Sequence, residues 1–326
     1  MTVLTVAAAL TALLLLGATA GPALLGRLAP ALSARPTWGM ALWASSAVLW
    51  VLGLLSVGPL LAWTVAGPGL PGAAGTVCRR CLTAANPFAS VPGWTTQVLP
   101  TYLLLLVPAA VTIGLLGYAA VRLIAYRREL RRQLRTLAAV AELRQVQGTS
   151  AWVVPSAERT AYALPRRRDG IVVTQGALDG LDDDQIAAVL AHERAHVRGR
   201  HHAVIGVLQI FAGLFAPVPL VAAAPAAVAG YAEMAADDAA RSARGTRALA
   251  GALLALHRPG TSGPPPALAL HAARHQPLSR AQRLVAAAPS PPRGGVAVVA
   301  AYLVAMAGAV LLVSVPYLSV AVTASC

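Results

Sequence analysis

Residues 171–202 have the sequence IVVTQGALDGLDDDQIAAVLAHERAHVRGRHH, a short apolar run followed by an amphipathic pattern. Asp182 predicts the N-cap of a helix, because Gln185 stands three residues later, in the position that completes a capping box. Gly199 predicts the end of this helix. The stretch therefore predicts a strand at 171–174 and, after a short connection, an amphipathic helix that ends at the glycine.

The predicted helix carries the pattern H-E-x-x-H, from His192 to His196. Residues four apart share one face of a helix, so both imidazoles can bind a single Zn²⁺. Glu193 lies one step round the helix, where it can take a proton from a metal-bound water whose pKa the zinc has lowered. The pattern indicates a catalytic zinc site with two imidazole ligands and a general base. The alternative is a polar helix face that holds these residues by coincidence.

A catalytic zinc needs a third protein ligand, and three carboxylates follow the motif in the chain: Glu233, Asp237 and Asp238. Glu233 and Asp237 repeat the four-residue spacing on a second predicted helix. We predict that Glu233 binds the metal. Asp237 is then the acceptor of a hydrogen bond from a ligating imidazole, which fixes the tautomer and orientation of that ring. The alternative is an ordinary acidic helix surface.

The same stretch also fits a second zinc pattern, the metzincin pattern H-E-x-x-H-x-x-G-x-x-H, which ends at His202 and uses Gly199 as the turn. In that pattern His202 replaces Glu233 as the third ligand. Because His202 leads directly into an apolar segment, we favour Glu233 and interpret His201 and His202 as polar residues at the membrane surface. Candidates for stabilising the oxyanion, which the sequence does not rank, are Arg241, His201 and His257.

The composition places much of the chain in a membrane. Hydrophobic residues make up 57% of the 326 residues, charged residues make up 12%, and the mean hydropathy is +0.65. A soluble domain carries about 25% charged residues. Four uncharged apolar stretches exceed the roughly 20 residues that a bilayer-spanning helix needs. These stretches are residues 3–25, 38–66, 98–121 and 296–322. The first lacks a basic N-terminal region, so we predict an uncleaved span.

The basic residues indicate which side of the membrane each segment occupies. All 26 are Arg, and seven of them lie between residues 122 and 144, directly after the third apolar stretch. Arginine beside a span marks the cytoplasmic side, which places 24 of the 26 Arg and all 12 acidic residues in the cytoplasm. Both termini and the loop 67–97 are then external. These Arg clusters favour anionic lipid as a partner over nucleic acid, because no recognition fold or stacking aromatics accompany them.

A fifth apolar segment, residues 203–229, contains no charge and three prolines. A single crossing there would move residues 231–295 and their eight Arg to the outside, and two crossings need about 40 residues. We therefore predict a re-entrant or surface-lying hairpin that breaks near Pro217 and Pro219, with a helix resuming around Tyr231.

These predictions divide the chain into three parts. Residues 1–121 hold three transmembrane spans, residues 122–295 hold a cytoplasmic zinc metallopeptidase core interrupted by the apolar segment, and residues 296–326 hold the final span. Further predicted elements are a basic amphipathic helix at 127–146, a strand at 151–154, and a loop at 258–295 with a short helix at 279–287.

Three cysteines receive no assigned function. Cys78 and Cys81 form a single C-x2-C in the predicted external loop, without the second pair that a zinc ribbon needs. A disulfide between them is plausible outside the cytoplasm, and a bystander role is the alternative. Cys326 is the last residue of the sequence.

The stretch 171–202, the apolar interruption and the later sequence YAEMAADDAA resemble the BlaR/MecR-type membrane zinc metallopeptidases, to which an HtpX-like and CAAX-prenyl-protease-like group is related. The resemblance also extends to the order of the spans. It implies zinc ligands at His192, His196 and Glu233, a general base at Glu193 and an outer carboxylate at Asp237. It further implies that the strand 171–174 is a sheet edge on which a substrate peptide pairs. No S-x-x-K motif occurs, so a penicillin-binding sensor domain and β-lactam sensing are not expected.

We therefore expect a mainly α, polytopic membrane protein with a small α+β zincin-like metalloprotease core on the cytoplasmic side, binding one Zn²⁺ per chain. As a gluzincin-like endopeptidase it would cleave a cytoplasmic or juxtamembrane protein in regulatory signalling, and the resemblance implies a winged-helix repressor as the substrate. One alternative is HtpX-like quality control of membrane proteins. Another is a non-enzymatic signalling or scaffold protein with a structural metal, against which Glu193 argues because a structural site needs no base.

Overall fold

The computed structural model describes residues 3–63, 101–164, 170–256, 283 and 293–323. Its helices are α1 (Val3–Arg27), α2 (Ala29–Ser33), α3 (Pro36–Ala62), α4 (Thr101–Val140), α5 (Gln175–Gly180), α6 (Asp183–Arg198), α7 (His201–Leu214), α8 (Pro219–Arg244), α9 (Thr246–Leu256) and α10 (Arg293–Thr323). Its strands are β1 (Glu142–Val146), β2 (Thr149–Val154), β3 (Ala161–Ala163) and β4 (Ile171–Thr174). This mainly helical chain with a small sheet confirms the predicted fold class.

Five of the described helices are long and apolar enough to cross a bilayer, namely α1, α3, α4, α8 and α10. Four of them correspond to the uncharged stretches predicted as spans. Helix α4 continues without a break from the third stretch through the Arg-rich segment to Val140, a length of 40 residues. The chain is therefore a multi-pass membrane protein, and α8 is the one long apolar helix that was not predicted as a span.

Helix α3 packs against α1, α8 and α10. Its Gly39 lets α8 approach closely, because a Cβ at this position would lie 2.6 Å from Cδ1 of Tyr231. Small residues allow such close contacts between membrane helices. On the other side, the indole Nε1 of Trp50 donates a hydrogen bond of 2.8 Å to the carbonyl oxygen of Leu14 in α1. Helix α8 is thus packed directly against this membrane bundle.

The predicted apolar hairpin comprises α7 and the first half of α8. The break between the two helices falls at residues 215–218, as the prolines predict. At the break, Phe215 packs edge-on against Trp50, with ring centroids 5.8 Å apart. Trp50 lies about 21 Å along α3 from its first residue, at a rise of 1.5 Å per residue. The tip of the hairpin therefore lies near the middle of this 27-residue helix.

The prediction that a helix resumes around Tyr231 is wrong. Helix α8 is continuous from Pro219 to Arg244. Proline at the first turn of a helix loses no intrahelical hydrogen bond and has a suitable φ, so Pro219 starts this helix rather than interrupting it. One rigid element consequently joins the tip of the hairpin to the residues around Glu233.

The four strands form one sheet in the order β1-β2-β4-β3. Strands β2 and β4 are parallel, and the other two pairs are antiparallel. The strands predicted at 151–154 and 171–174 are β2 and β4. Strand β4 was expected to be a sheet edge and is instead interior, with neighbours on both sides, which agrees with the burial of all four of its residues. The edge strand that contacts α6 is β3.

The prediction of a helix through residues 127–146 is wrong at its C-terminal end. The helix stops at Val140, and strand β1 follows it. Gln147 and Gly148 both have positive φ, 47° and 70°. Two such residues form the tight turn that suits a β-hairpin, so β1 pairs with β2 and does not continue the helix.

Several predictions fall outside the described residues. These are the external loop at 67–97, the three cysteines, His257, and the loop and short helix in the segment 258–292 apart from Arg283. The division of the chain into three parts stays a prediction.

Candidate metal centre

Helix α6 places two imidazoles on one face. It begins with the predicted capping box: the Asp182 carboxylate accepts a hydrogen bond of 2.8 Å from the backbone N–H of Gln185, whose side-chain oxygen accepts one of 3.2 Å from the backbone N–H of Asp182. The opposite face buries Leu190 against the sheet and α9. His192 and His196 therefore both point towards α8, and both are buried, with 9% and 8% of their surface exposed.

Helix α8 supplies two carboxylates to the same place. Its Ala236 and Ala240 are fully buried, and Ala240 packs with Ala188 of α6. These small side chains allow the two helix backbones to approach closely. Glu233 and Asp237 lie four residues apart on the face of α8 that meets α6, so both carboxylates reach the imidazoles.

The side chains of His192, His196 and Glu233 offer three donor atoms that lie within 4.8 Å of one another. The two Nε2 atoms are 3.1 Å apart. The Glu233 carboxylate lies 3.5 Å from Nε2 of His192 through Oε2 and 3.4 Å from Nε2 of His196 through Oε1. A tetrahedral zinc with bonds of 2.0–2.1 Å separates its ligand atoms by about 3.3 Å. The donor atoms therefore fit a zinc ion.

Asp237 contacts the opposite side of one imidazole. Its Oδ1 atom lies 3.1 Å from Nδ1 of His192, and the residue has no exposed surface. A ligating imidazole usually directs its second nitrogen to such an acceptor, which holds the proton on that nitrogen and keeps the other one free for metal. The sequence predicted this contact from the spacing of Glu233 and Asp237.

Their surroundings shift the pKa values of the two imidazoles in opposite directions. Burial lowers the pKa of His192, but the contacts with Asp237 and Glu233 outweigh it and raise that pKa to about 10. Burial lowers the pKa of His196 to about 3, despite the nearby Glu233 carboxylate. Without metal, His192 carries a proton at neutral pH and His196 does not. A divalent cation bound here would displace that proton, because a ligating imidazole must be neutral.

His201 is the residue that sequence reasoning misplaced. It was interpreted as a polar residue at the membrane surface, but only 5% of its surface is exposed. Its Nδ1 lies 3.1 Å from Nδ1 of His196. The chain turns at Arg200, which has a positive φ of 51°, and this turn folds the start of α7 back onto α6. The signal available in the sequence was a histidine five residues after His196, directly beyond the end of the helix.

Two other candidate residues, His202 as a ligand and Arg241 for oxyanion stabilisation, are not part of this cluster of donor atoms. The ring of His202 has its centroid 6.0 Å from that of His196, and within the described part of the chain His202 is not among the clustered donors. The structure thus assembles the Glu233 set of donors rather than the metzincin set. Arg241, a candidate for oxyanion stabilisation, pairs with Asp238 at 3.4 Å and is 43% exposed.

The segment that contains this centre is similar to a family of peptidases. Residues 125–261 match Peptidase family M48. The matched range covers less than half of the chain and contains all five predicted site residues.

A curated relative supports the same class. The "Protease HtpX homolog" of Salinibacter ruber is 38% identical over 63 residues, which are 19% of this chain and 23% of the relative. The chain thus matches about a quarter of the length of this relative. No solved structure gives a significant match. The two matches support an HtpX-like membrane metallopeptidase, the group that the sequence predicted as related, and the BlaR/MecR-type resemblance stays a prediction.

Proposed function

We propose that the protein is an integral-membrane, zinc-dependent endopeptidase that cleaves a cytoplasmic or juxtamembrane protein. The observation that carries this proposal is the clustering of one donor atom each from His192, His196 and Glu233 within 4.8 Å of one another. Three protein ligands leave one position of a tetrahedral zinc open, which is typical of catalytic sites, whereas structural sites use four. Glu193 follows the first ligand directly on α6, as the general base of such a site does.

Each residue of the centre then has a role in peptide hydrolysis. His192, His196 and Glu233 would hold the ion, and Asp237 orients His192. Bound zinc would polarise the peptide carbonyl and make a water molecule more acidic. Glu193 accepts the proton of the attacking water and donates it to the amine that leaves.

The sheet offers a place for an extended substrate. Strand β3 contacts α6 and forms one edge of the described sheet. An edge strand presents unpaired backbone groups to which a peptide can add as a further strand. We propose that the substrate pairs with β3, since β4, the strand first expected to serve, is enclosed between β2 and β3.

The substrate class follows from two different arguments. The resemblance to the BlaR/MecR type favours a cytoplasmic winged-helix repressor and thus regulatory signalling. The match to the protein named "Protease HtpX homolog" favours quality control of membrane proteins as the second candidate. Both substrates would meet the enzyme at the cytoplasmic face of an anionic bilayer, and neither requires nucleic-acid binding by this chain.

Removal of the metal tests the proposed activity. We expect the purified protein in lipid nanodiscs to contain about one zinc per chain and to cleave an unfolded model substrate such as casein. Chelation should abolish cleavage, and one equivalent of Zn²⁺ should restore it. Full cleavage by protein whose zinc content is zero by elemental analysis would refute the proposal.

Cysteine labelling tests the proposed orientation, in which both termini are external and the metal centre is cytoplasmic. Arg144 is exposed in β1, so Arg144→Cys in a background with Cys78, Cys81 and Cys326 changed to Ser gives a single reactive thiol. A membrane-impermeant maleimide should label it only after the cells are lysed. A matched variant that keeps Cys78 alone should react in intact cells. Labelling of Arg144→Cys in intact cells would reverse the orientation.

A further inference from the structure

The buried imidazoles of His196 and His201 contact each other through their Nδ1 atoms. Their Nδ1 atoms are 3.1 Å apart, and the ring planes are almost perpendicular, at 85°. A hydrogen bond at this distance needs a proton on one nitrogen and a lone pair on the other. The contact therefore fixes the tautomers of both rings together.

The contacts of the second ring nitrogen of His196, Nε2, decide which of the two residues donates this hydrogen bond. Its Nε2 lies 3.1 Å from Nε2 of His192 and 3.4 Å from the Glu233 carboxylate, so Nε2 is the atom that faces the metal position. A nitrogen that binds metal must offer a lone pair, and its ring proton is then on Nδ1. His196 accordingly donates, and His201 accepts through its Nδ1.

From this geometry we propose that His201 is a positioning residue for the zinc centre, and that its Nδ1 accepts the proton of His196 Nδ1 and so keeps Nε2 free for the metal. The proposal rests on the zinc centre described under the proposed function. It gives His196 a neutral acceptor, whereas the group that faces Nδ1 of His192 is the carboxylate of Asp237, 3.1 Å away.

The backbone around His201 holds its ring in this place. Arg200 adopts a left-handed conformation, with φ 51° and ψ 34°, which is uncommon for a residue with a side chain. The turn places the His201 ring over Gly199, where the Cβ of any other residue would overlap the ring nitrogen Nε2. Such strained positions persist where the surrounding structure requires them, and they concentrate at functional sites.

Two substitutions by amide residues distinguish the contribution of Nδ1 of His201 from that of Nε2. In His201→Asn, the side-chain oxygen stands where Nδ1 stood and still accepts the hydrogen bond. In His201→Gln the oxygen is one bond further out, nearer to the position of Nε2, and in His201→Leu no acceptor remains. Zinc affinity is measured by competition with a fluorescent chelator, on full-length protein in nanodiscs, with no substrate present. The absorption spectrum of the Co²⁺-substituted protein reports the ligand field separately.

We expect His201→Leu and His201→Gln to bind Zn²⁺ about 10–100-fold more weakly than the wild type, the usual effect of losing an outer partner of a ligating imidazole. His201→Asn should stay within about threefold of the wild type and keep its Co²⁺ spectrum. His202→Leu is the matched control, since His202 is the next residue on α7 but its ring nitrogens have no hydrogen-bond partner among the residues that the structure describes. Its zinc affinity should be unchanged.

The outcomes also separate this inference from the proposed function. Wild-type protein that binds no zinc would overturn the proposed function itself. Wild-type zinc affinity in both His201→Leu and His201→Gln, with the metal centre intact, would overturn only the role of His201. If His201→Leu does not fold, the Asn and Gln variants decide: equal losses in both would contradict the proposal, and retention in the Asn variant alone would support it.

Discussion

Glu193→Gln is expected to retain about one zinc per chain and to lose cleavage activity by about 10²–10⁴-fold, the usual contribution of a general acid–base group. Glutamine has the same shape as glutamate but cannot accept the proton of the attacking water. The three donor atoms of the centre belong to other residues, so the metal should stay bound. The measurement is zinc content by elemental analysis together with the initial rate of cleavage of a model substrate.

Asp184→Asn provides the matched control. Asp184 lies on the same helix and is exposed, and the substitution again replaces a carboxylate by an amide. It should leave the rate within about twofold of the wild type, because a surface change away from the site has little effect. Equal rates for Glu193→Gln and the wild type would remove the enzymatic interpretation and favour the scaffold alternative. An inactive variant with full zinc also retains its substrates, and proteins captured by it in cells would distinguish a repressor from damaged membrane proteins.

Glu233→Ala is expected to reduce the zinc content from about one per chain to near zero. The substitution removes one of three donors, so its effect on zinc affinity should exceed the roughly 10–100-fold that an outer partner contributes. His202→Ala should keep the wild-type zinc content, because His202 is not among the clustered donor residues in the described part of the chain. Zinc stoichiometry after dialysis against a weak chelator measures both variants under the same conditions.

The reverse pattern would change the ligand assignment. Loss of zinc in His202→Ala with retention in Glu233→Ala would indicate the metzincin set of ligands, which the sequence also permits. The two variants can be compared in size-exclusion chromatography in the same nanodiscs. A shift in the profile of either variant would mark unfolding, which is then distinguished from loss of a ligand.

Local signals in the sequence predict the part of the centre that α6 contributes. The capping box at Asp182 and Gln185 is a contact between residues three positions apart, and the pairing of His192 with His196 follows from helix periodicity. Glu233 and Asp237 are predictable for another reason. Few carboxylates follow the motif, and a catalytic zinc with two imidazole ligands needs a third protein ligand. These features could be predicted because they depend on residues close together in the sequence or on the number of ligands that zinc needs.

The remaining features depend on contacts between distant residues. Strand β1 was predicted as helix because its residues follow a long helical segment, and its pairing with β2 is decided by the turn at Gln147 and Gly148. Strand β4 is interior because of the order of the strands in the sheet. The pattern of apolar residues along a strand does not predict that order. The contact of His201 with His196 requires a left-handed backbone at Arg200, a conformation that an arginine does not signal in a sequence.

The apolar hairpin of α7 and α8 bears on the proposed binding of zinc, because it ties the two arms of the centre to the membrane helices. Both arms measure about 21 Å from the tip beside Trp50 to the residue that meets α6, His201 on one arm and Glu233 on the other. A shift of α8 by one helical turn, about 5.4 Å, would carry the carboxylate beyond reach of both imidazoles. We therefore expect the packing of the hairpin against the membrane helices to influence how tightly zinc is bound. A protein stripped of its lipid is then expected to lose metal before it loses helical structure.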